Sequence, residues 1–206
     1  MLGIDPGSRM TGWGVVEERG TALAHVANGT IVLGAQASVA ERLAMLHAEC
    51  SRLLASWTPA AIVVERAFVA RNVQSAFRLG EARGAVLAAV AGAGGTVYEY
   101  TPAEVKLATV GHGRAEKDAM VRGVAARLGL APRGLKPDAA DALALALCHL
   151  ARAPLLRSVA AAMKRDDRPT RDPERPTPGA PRAGGAERRT RVVARAGGAE
   201  CARAER

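Results

Sequence analysis

Residues 1–8 have the sequence MLGIDPGS, in which a short apolar run ends at an acidic residue, Asp5, before a Pro-Gly turn. Such runs are typical of strands inside a sheet, where an ionised carboxylate costs on the order of several kcal/mol unless a partner cancels its charge. The same departure recurs at Glu65, which closes an apolar AIVV run. Asp138 and Asp141 lie three residues apart at the start of an Ala- and Leu-rich segment. Each acid stands where the local pattern favours an apolar residue.

These four carboxylates predict a metal site. If the three segments that carry them converge, their charges repel one another and a cation is needed to hold them together. Hard oxygen ligands favour magnesium, with manganese as a substitute. Two such ions about 3.5–4 Å apart form the usual clamp for phosphodiester hydrolysis. The sequence therefore indicates a two-metal hydrolase with Asp5, Glu65, Asp138 and Asp141 as the ligands.

The order of the predicted elements indicates a mixed sheet. Three short strands with Gly-containing turns between them predict an antiparallel meander near the N-terminus. The following elements are a helix capped by Ser38 and Glu41, a strand at 61–64, a helix at 73–93, a strand at 96–100, and helices from Pro102, Ala115 and Pro137. A meander that feeds alternating strands and helices predicts an α/β fold, with a mixed five-stranded sheet and helices on both faces. The four carboxylates would then meet at one edge of the sheet.

Composition divides the chain at residue 157. The 206 residues are 49% hydrophobic, which is enough for one domain with a sizeable core and a remainder. Residues 157–206 are rich in Arg, Pro, Ala and Gly and have no aromatic residue, so we expect a disordered tail after a folded domain at 1–156. Of the net charge of +9, the 13 basic and 7 acidic residues of the tail contribute +6 and the domain +3. The charge is therefore weak evidence for a nucleic-acid partner.

The cysteines and the apolar segments predict a cytoplasmic protein. Cys50, Cys148 and Cys201 have no metal-binding spacing, and their odd number argues against a secreted disulfide framework. No basic leader precedes an apolar core at the N-terminus, and the longest apolar stretch, around Ala85 to Ala93, is too short to span a bilayer. We expect neither a signal peptide nor a membrane anchor.

Four motifs together resemble the RuvC-type Holliday-junction resolvases. They are LGIDPGSR at 2–9, ERAF at 65–68, AEK at 115–117 after Val110-Gly111, and DAADALA at 138–144, in the family's order and at family-like separations. The resemblance covers residues 1 to about 153. A Gly-Ile-Asp-x-Gly strand end alone also occurs in actin-like ATPases and other RNase H-like folds, whereas the four motifs together are specific.

The resemblance implies an RNase H-like fold, a homodimer, and magnesium-dependent nicking of two opposed strands of like polarity at a four-way DNA junction. The paired symmetric nicks would leave 5′ phosphates and serve homologous recombination and DNA repair, with a branch-migration motor, RuvA and RuvB, as partner. By position, Asp5, Glu65, Asp138 and Asp141 match the family's catalytic, metal-binding carboxylates. Lys117 matches a catalytic lysine near the scissile phosphate.

The resemblance also implies a set of DNA contacts. Phe68 matches an aromatic residue that stacks on bases at the crossover, an interaction worth roughly 1–3 kcal/mol per base. Arg71 stands where many relatives have Lys, which keeps the charge but not the geometry. The predicted DNA-binding residues are Phe68, Arg71, Asn72, Lys106 and Arg9.

Other interpretations of these residues exist. An actin-like or sugar-kinase-type ATPase shares the first strand end but needs a second such domain, and a pre-ribosomal RNA nuclease of the same fold lacks the second and fourth motifs. A junction-binding protein without nuclease activity would keep Phe68 and the basic residues but lose acids of the site. This chain keeps all four acids. Singly, Asp5 also suits a turn, Asp138 a helix dipole, and Asp141 an exposed helix surface.

Two further features have competing interpretations. Gly80, Gly84 and Ala88 are small residues spaced four apart, which favours packing on the sheet first and a subunit interface second. His149 lies two turns beyond Asp141 on the same helix face, where a surface histidine is favoured over a role in supporting the site.

Overall fold

A computed structural model, which describes residues 1–66 and 73–166, has a five-stranded mixed sheet with helices on both faces. The elements are β1 (Leu2–Asp5), β2 (Met10–Arg19), β3 (Ala22–Val32), α1 (Val39–Trp57), β4 (Ile62–Glu65), α2 (Val73–Gly92), β5 (Val97–Tyr100), α3 (Pro102–Val110), α4 (Lys117–Leu128) and α5 (Pro137–Asp166). The strand order is β3-β2-β1-β4-β5; β2 is antiparallel to β1 and β3, while β4 is parallel to β1 and β5. The predicted α/β sheet is confirmed.

The N-terminal meander is longer than the sequence predicted. β2 and β3 pair along almost their whole length and are joined by a tight turn in which Gly20 has a φ of 63°. A positive φ is costly for residues with a side chain, so Gly suits this position. The paired residues include Ala, His and Asn, which have no strong strand preference, so hydrogen bonding to β2 and not local propensity extends β3.

Two helices begin with a complete capping box. Ser38 accepts a hydrogen bond from the backbone N–H of Glu41, whose side chain accepts from the backbone N–H of Ser38, as predicted for α1. Thr101 and Glu104 make the same reciprocal pair at α3. Each box satisfies backbone donors that a helix start would otherwise leave unpaired.

The sheet separates two apolar cores. Leu2 and Ile4 of β1 lie in the core beneath α1 and α2, whereas Val63 of β4 lies in the core beneath α3, α4 and α5. Successive side chains of a strand point to opposite faces. The side chains of Asp5 and Glu65 therefore face the α3–α5 side of the sheet.

Glycines of β1 and β2 let α5 lie directly on the sheet. A Cβ atom on Gly3 would overlap the backbone carbonyl of Ala142, and one on Gly12 would overlap the carbonyl of Asp138. Because these atoms belong to helix backbone, no side-chain movement relieves the overlap. The two glycines thus fix the height of the first turns of α5 above the strand that ends at Asp5.

The last helix corrects two predictions. By length and composition Pro137–Leu156 is long enough to cross a membrane, but 67% of its apolar window is buried inside the fold, as in a core helix. The stretch around Ala85–Ala93 is therefore not the longest apolar segment. The boundary predicted at residue 157 also falls inside α5, because the helix continues to Asp166. Residues 167–206 lie outside the described residues, so the disordered tail stays a prediction.

The small residues of α2 do not pack on the sheet. Gly80, Gly84 and Ala88 are exposed, and α2 instead buries Ala82, Val86, Ala89 and Val90. A Cβ on Gly80 or Gly84 would meet no atom within 4 Å. The packing interpretation was wrong, and the subunit-interface interpretation stays open.

Replacing Gly3 by Ala tests the close approach of α5 to the sheet. We expect Gly3→Ala to lower the free energy of unfolding by about 3 kcal/mol, since helix and strand must separate to admit the methyl group. Gly92→Ala is the matched control and should raise it by about 0.5–1 kcal/mol, because Ala restricts the unfolded chain and suits an exposed helix position with no atom within 4 Å. Urea unfolding of both variants gives the comparison. If Gly3→Ala and the parent protein are equally stable, the close contact between α5 and β1 is contradicted.

Candidate active site

A cavity of about 150 Å³ lies where β1 and β4 end and α3, α4 and α5 meet. Three predicted carboxylates and two predicted lysines line it: Asp5, Glu65, Asp141, Lys106 and Lys117. The remaining lining residues are Pro102, Val105, Met120 and Leu145. The lining of the cavity thus combines five charged side chains with four apolar ones.

The strand pairing explains why two of the acids are neighbours. β1 and β4 are parallel, and Ile4 pairs with Val64. The next residue in each strand is Asp5 and Glu65, so both carboxylates leave the sheet at the same edge and on the same face. In α/β sheets, ligands bind outside the carboxyl ends of the strands.

Burial and like charge raise the pKa of Asp5 from 3.8 to about 8. Loss of water around the carboxylate is the largest cause, followed by the negative charges of Glu65, Asp141 and Asp138. The ammonium group of Lys117 acts in the opposite direction and does not offset them. A cation bound nearby would therefore favour the ionised form of Asp5.

Glu65 and Asp141 have raised pKa values for the same reasons. For Glu65, burial comes first and the charge of Asp141 second, while Lys106 lowers its pKa. For Asp141, burial again comes first; Lys117 and Lys106 lower its pKa and Asp138 raises it. Neighbouring carboxylates that disfavour each other's ionisation are a common arrangement in functional sites.

Asp138 lies beside the cavity and not in its lining. It is half-buried in the first turn of α5, and its backbone carbonyl faces Gly12 of β2. Its charge nevertheless raises the pKa of Asp5 and of Asp141. The structure therefore brings three of the four predicted acids into one cavity and the fourth next to them.

The donor set fits a hard divalent cation in chemistry and in charge. The acidic groups are all carboxylates, and magnesium and manganese prefer their hard oxygen atoms to softer sulfur ligands. In residues 1–66 and 73–166, however, no three Asp, Glu, His or Cys side chains are arranged closely enough to hold one ion. The site therefore supplies the right atoms and an unbalanced negative charge, without three side chains converged on a single point.

The predicted DNA-contacting residues fall into three groups. Lys106 lines the cavity. Arg9 is exposed in the turn between β1 and β2, outside the cavity lining, where its backbone carbonyl accepts a 2.9 Å hydrogen bond from Leu33. Phe68, Arg71 and Asn72 lie outside the described residues, so their roles stay predictions.

Sequence reasoning missed an arginine that contacts the end of β4. The Nε of Arg83, on α2, donates a 3.3 Å hydrogen bond to the backbone carbonyl of Glu65. The same guanidinium forms an ion pair with Glu99 of β5, and its side chain is 19% exposed. No spacing pattern in the sequence identifies this residue, because the contact joins elements 18 positions apart.

His149 is buried, so its interpretation as a surface histidine was wrong. It is 4% exposed, and its Nδ1 lies 2.9 Å from the hydroxyl of Tyr100. Its ring also contacts Tyr98, with centroids 4.2 Å apart. The helical spacing from Asp141 was the available signal for this placement.

Known proteins resemble the chain over its described domain. The family model for crossover junction endodeoxyribonuclease RuvC matches residues 1–149. The enzyme of that name from Alkalilimnicola ehrlichii is 52% identical over 156 residues, covering 74% of this chain and 92% of the relative. That of Trichlorobacter lovleyi is 45% identical over 150 residues, covering 73% and 84%.

A solved structure of the same kind confirms the predicted RNase H-like fold. Thermus thermophilus RuvC in complex with Holliday junction substrate superimposes with a TM-score of 0.70 at 37% identity, and the match covers 75% of this chain and 94% of that chain. The match to the family model spans residues 1–149, which contain all four motifs of this chain, and this argues against the ATPase and ribosomal-RNA alternatives. The chain therefore belongs to the RuvC family of crossover junction endodeoxyribonucleases.

Proposed function

We propose that this chain resolves four-way DNA junctions by paired symmetric nicks, in homologous recombination and DNA repair. The observation that carries the proposal is the single cavity in which Asp5, Glu65 and Asp141 meet Lys106 and Lys117. Acids to hold cations and lysines to bind a phosphate are the parts that phosphodiester hydrolysis needs. The related Thermus thermophilus protein, whose solved complex contains a Holliday junction substrate, supports the choice of DNA.

We propose magnesium as the cofactor, with two ions per site and manganese as a substitute. Asp5, Glu65 and Asp141 would supply the ligands from the cavity, and Asp138 from beside it. When bound, such ions polarise the scissile phosphate and favour ionisation of the attacking water. The raised pKa of Asp5, about 8, supports this assignment because its causes include the negative charges of Glu65, Asp141 and Asp138, which Lys117 does not offset and which bound cations would.

The lysines would act on the DNA phosphate. Lys106 and Lys117 come from different helices, and each already lowers the pKa of an adjacent acid. With DNA bound, their charge would offset the negative charge that develops on the phosphate during hydrolysis. The apolar side chains of Val105, Met120 and Leu145 line the rest of the cavity, together with Pro102. The products would be a 5′ phosphate and a 3′ hydroxyl.

Two symmetric nicks require two active sites, which supports a homodimer. Residues 1–66 and 73–166 form one cavity lined by these acids and lysines, so a second copy of the chain would supply the other. The exposed Gly80, Gly84 and Ala88 of α2, with Phe77 69% exposed nearby, offer a surface that a second helix can approach closely. Partnership with RuvA and RuvB, and a cytoplasmic location, rest on family membership alone.

Replacing Asp141 by Asn tests the catalytic role of the carboxylates. We expect Asp141→Asn to cut a four-way junction at least about 100-fold more slowly, since the variant loses a charged ligand, while its affinity for the junction is retained. Cleavage and gel-shift assays with a junction and a linear duplex of the same sequence measure both quantities. Glu18→Gln removes an exposed acid of β2 as the control and should cut normally. Normal cleavage by Asp141→Asn would refute the assignment.

The raised pKa values predict that metal affinity depends on pH. Below about pH 8 a proton on Asp5 competes with a divalent cation, so the half-saturating magnesium concentration should fall as the pH rises from about 6 to 8. We expect up to about a tenfold fall per pH unit for one displaced proton. Magnesium titrations of junction cleavage at several pH values provide the measurement. A half-saturating concentration that does not change with pH would contradict the electrostatic account.

A further inference from the structure

One face of α5 connects the cavity to a buried polar cluster beneath it. Asp141, Leu145 and His149 follow one another at four-residue intervals, which places them on the same side of the helix. Asp141 and Leu145 line the cavity, and His149 is buried one turn further along. A contact made by His149 therefore acts on the helix that carries Asp141.

His149 connects α5 to the last strand. Its Nδ1 lies 2.9 Å from the hydroxyl of Tyr100, which is itself buried. A hydrogen bond between buried groups has a restricted direction and distance, so it defines the separation of the elements that it joins. Tyr98, two residues earlier on β5, packs its ring against the same imidazole.

Tyr100 in turn contacts the strand end that carries Glu65. The two residues are paired across the parallel strands β4 and β5. The backbone carbonyl of Tyr100 also accepts a 2.8 Å hydrogen bond from the N–H of Arg66, the residue after Glu65. The backbone of Tyr100 thus holds the end of β4, while its side chain holds α5.

The cluster also reaches the helix that carries Lys106. The guanidinium of Arg152 lies 5.4 Å from the centroid of the Tyr100 ring and donates a 2.6 Å hydrogen bond to Glu104 of α3. Glu104 is the residue that caps α3 through Thr101. The elements that carry Glu65, Asp141 and Lys106 therefore meet at one set of side chains.

The contacts between β5 and α5 oppose the electrostatic repulsion between the acids of the cavity. The carboxylates of Glu65 and Asp141 share one cavity, and the charge of Asp141 disfavours ionisation of Glu65. A buried hydrogen bond that joins α5 to the strand beside β4 opposes this repulsion, in addition to the packing of α5 on Gly3 and Gly12.

We propose that Tyr100 and His149 are positioning residues, whose hydrogen bond restrains Glu65 on β4 and Asp141 on α5 relative to each other, and that cation binding and cleavage depend on this restraint. This inference rests on the proposed function of the two acids. It adds residues that touch neither the phosphate nor the cation. Loss of such supporting contacts around a metal site costs about 10-fold to 100-fold in affinity or activity.

Tyr100→Phe is the direct test because it removes the hydroxyl and keeps the ring. In the full-length protein we expect kcat for junction cleavage to fall about tenfold or more, the KM for the junction to stay the same, and the half-saturating magnesium concentration to rise. Tyr98→Phe is the matched control, since it keeps the ring against His149 and leaves the Tyr100 hydrogen bond intact. It should change each quantity by less than about twofold.

Two variants of His149 separate positioning from stability. His149→Asn places an amide near the position of Nδ1 and should retain most of the kcat, whereas His149→Leu should behave like Tyr100→Phe. Urea unfolding of each variant establishes the folded fraction, to which kcat is normalised. If Tyr100→Phe and His149→Leu lose stability only, with kcat per folded molecule and magnesium dependence unchanged, the proposal is overturned.

Calorimetric titration with manganese separates this proposal from the proposed function. If the parent protein does not cut junctions, the proposed function fails, and the positioning role is then decided by manganese affinity. We expect affinity to be weaker in Tyr100→Phe than in the parent protein or Tyr98→Phe. Equal affinity in all three proteins would overturn the positioning role.

Discussion

The direct contact between α5 and the glycines of β1 and β2 determines the rest of the site. Because Gly3 and Gly12 have no side chain, the backbone of the helix reaches the backbone of the sheet, and Asp138 and Asp141 arrive beside the end of β1. The parallel pairing of β1 with β4 brings Glu65 to the same edge. A larger residue at either glycine would separate these acids, so close backbone packing and the proposed chemistry depend on the same positions.

That packing creates an electrostatic cost within the fold. Burial and mutual repulsion raise the pKa values of Asp5, Glu65 and Asp141, and Lys106 and Lys117 offset only part of the effect. Structural ion pairs elsewhere in the described residues, such as Arg152 with Glu104, combine opposite charges instead. Excess negative charge in a partly buried cavity disfavours ionisation of these acids, and the proposed cations would offset that charge.

Local patterns predicted most of the fold but few of the contacts between its elements. The capping box of Ser38, the strand that ends at Glu65 and the acids of α5 follow from spacing and residue type within short windows. The lengths of β2 and β3 depend on pairing, and the burial of His149 depends on where α5 crosses β5. Gly3, Arg83 and Tyr100 act through partners far away in sequence, so no local pattern marks them.

The most direct test of the electrostatic account is the free energy of unfolding between about pH 5 and pH 8, with and without magnesium. Because folding raises the pKa of Asp5 from 3.8 to about 8, the stability from its protonated form is present at low pH and lost as the pH rises. Glu104, with a pKa lowered to about 2, adds no slope there. For the proton on Asp5 we predict a metal-free decline of up to about 1.4 kcal/mol per pH unit, reduced by magnesium and by Asp5→Asn. Identical curves for the parent and Asp5→Asn proteins, unaffected by magnesium, would contradict the account.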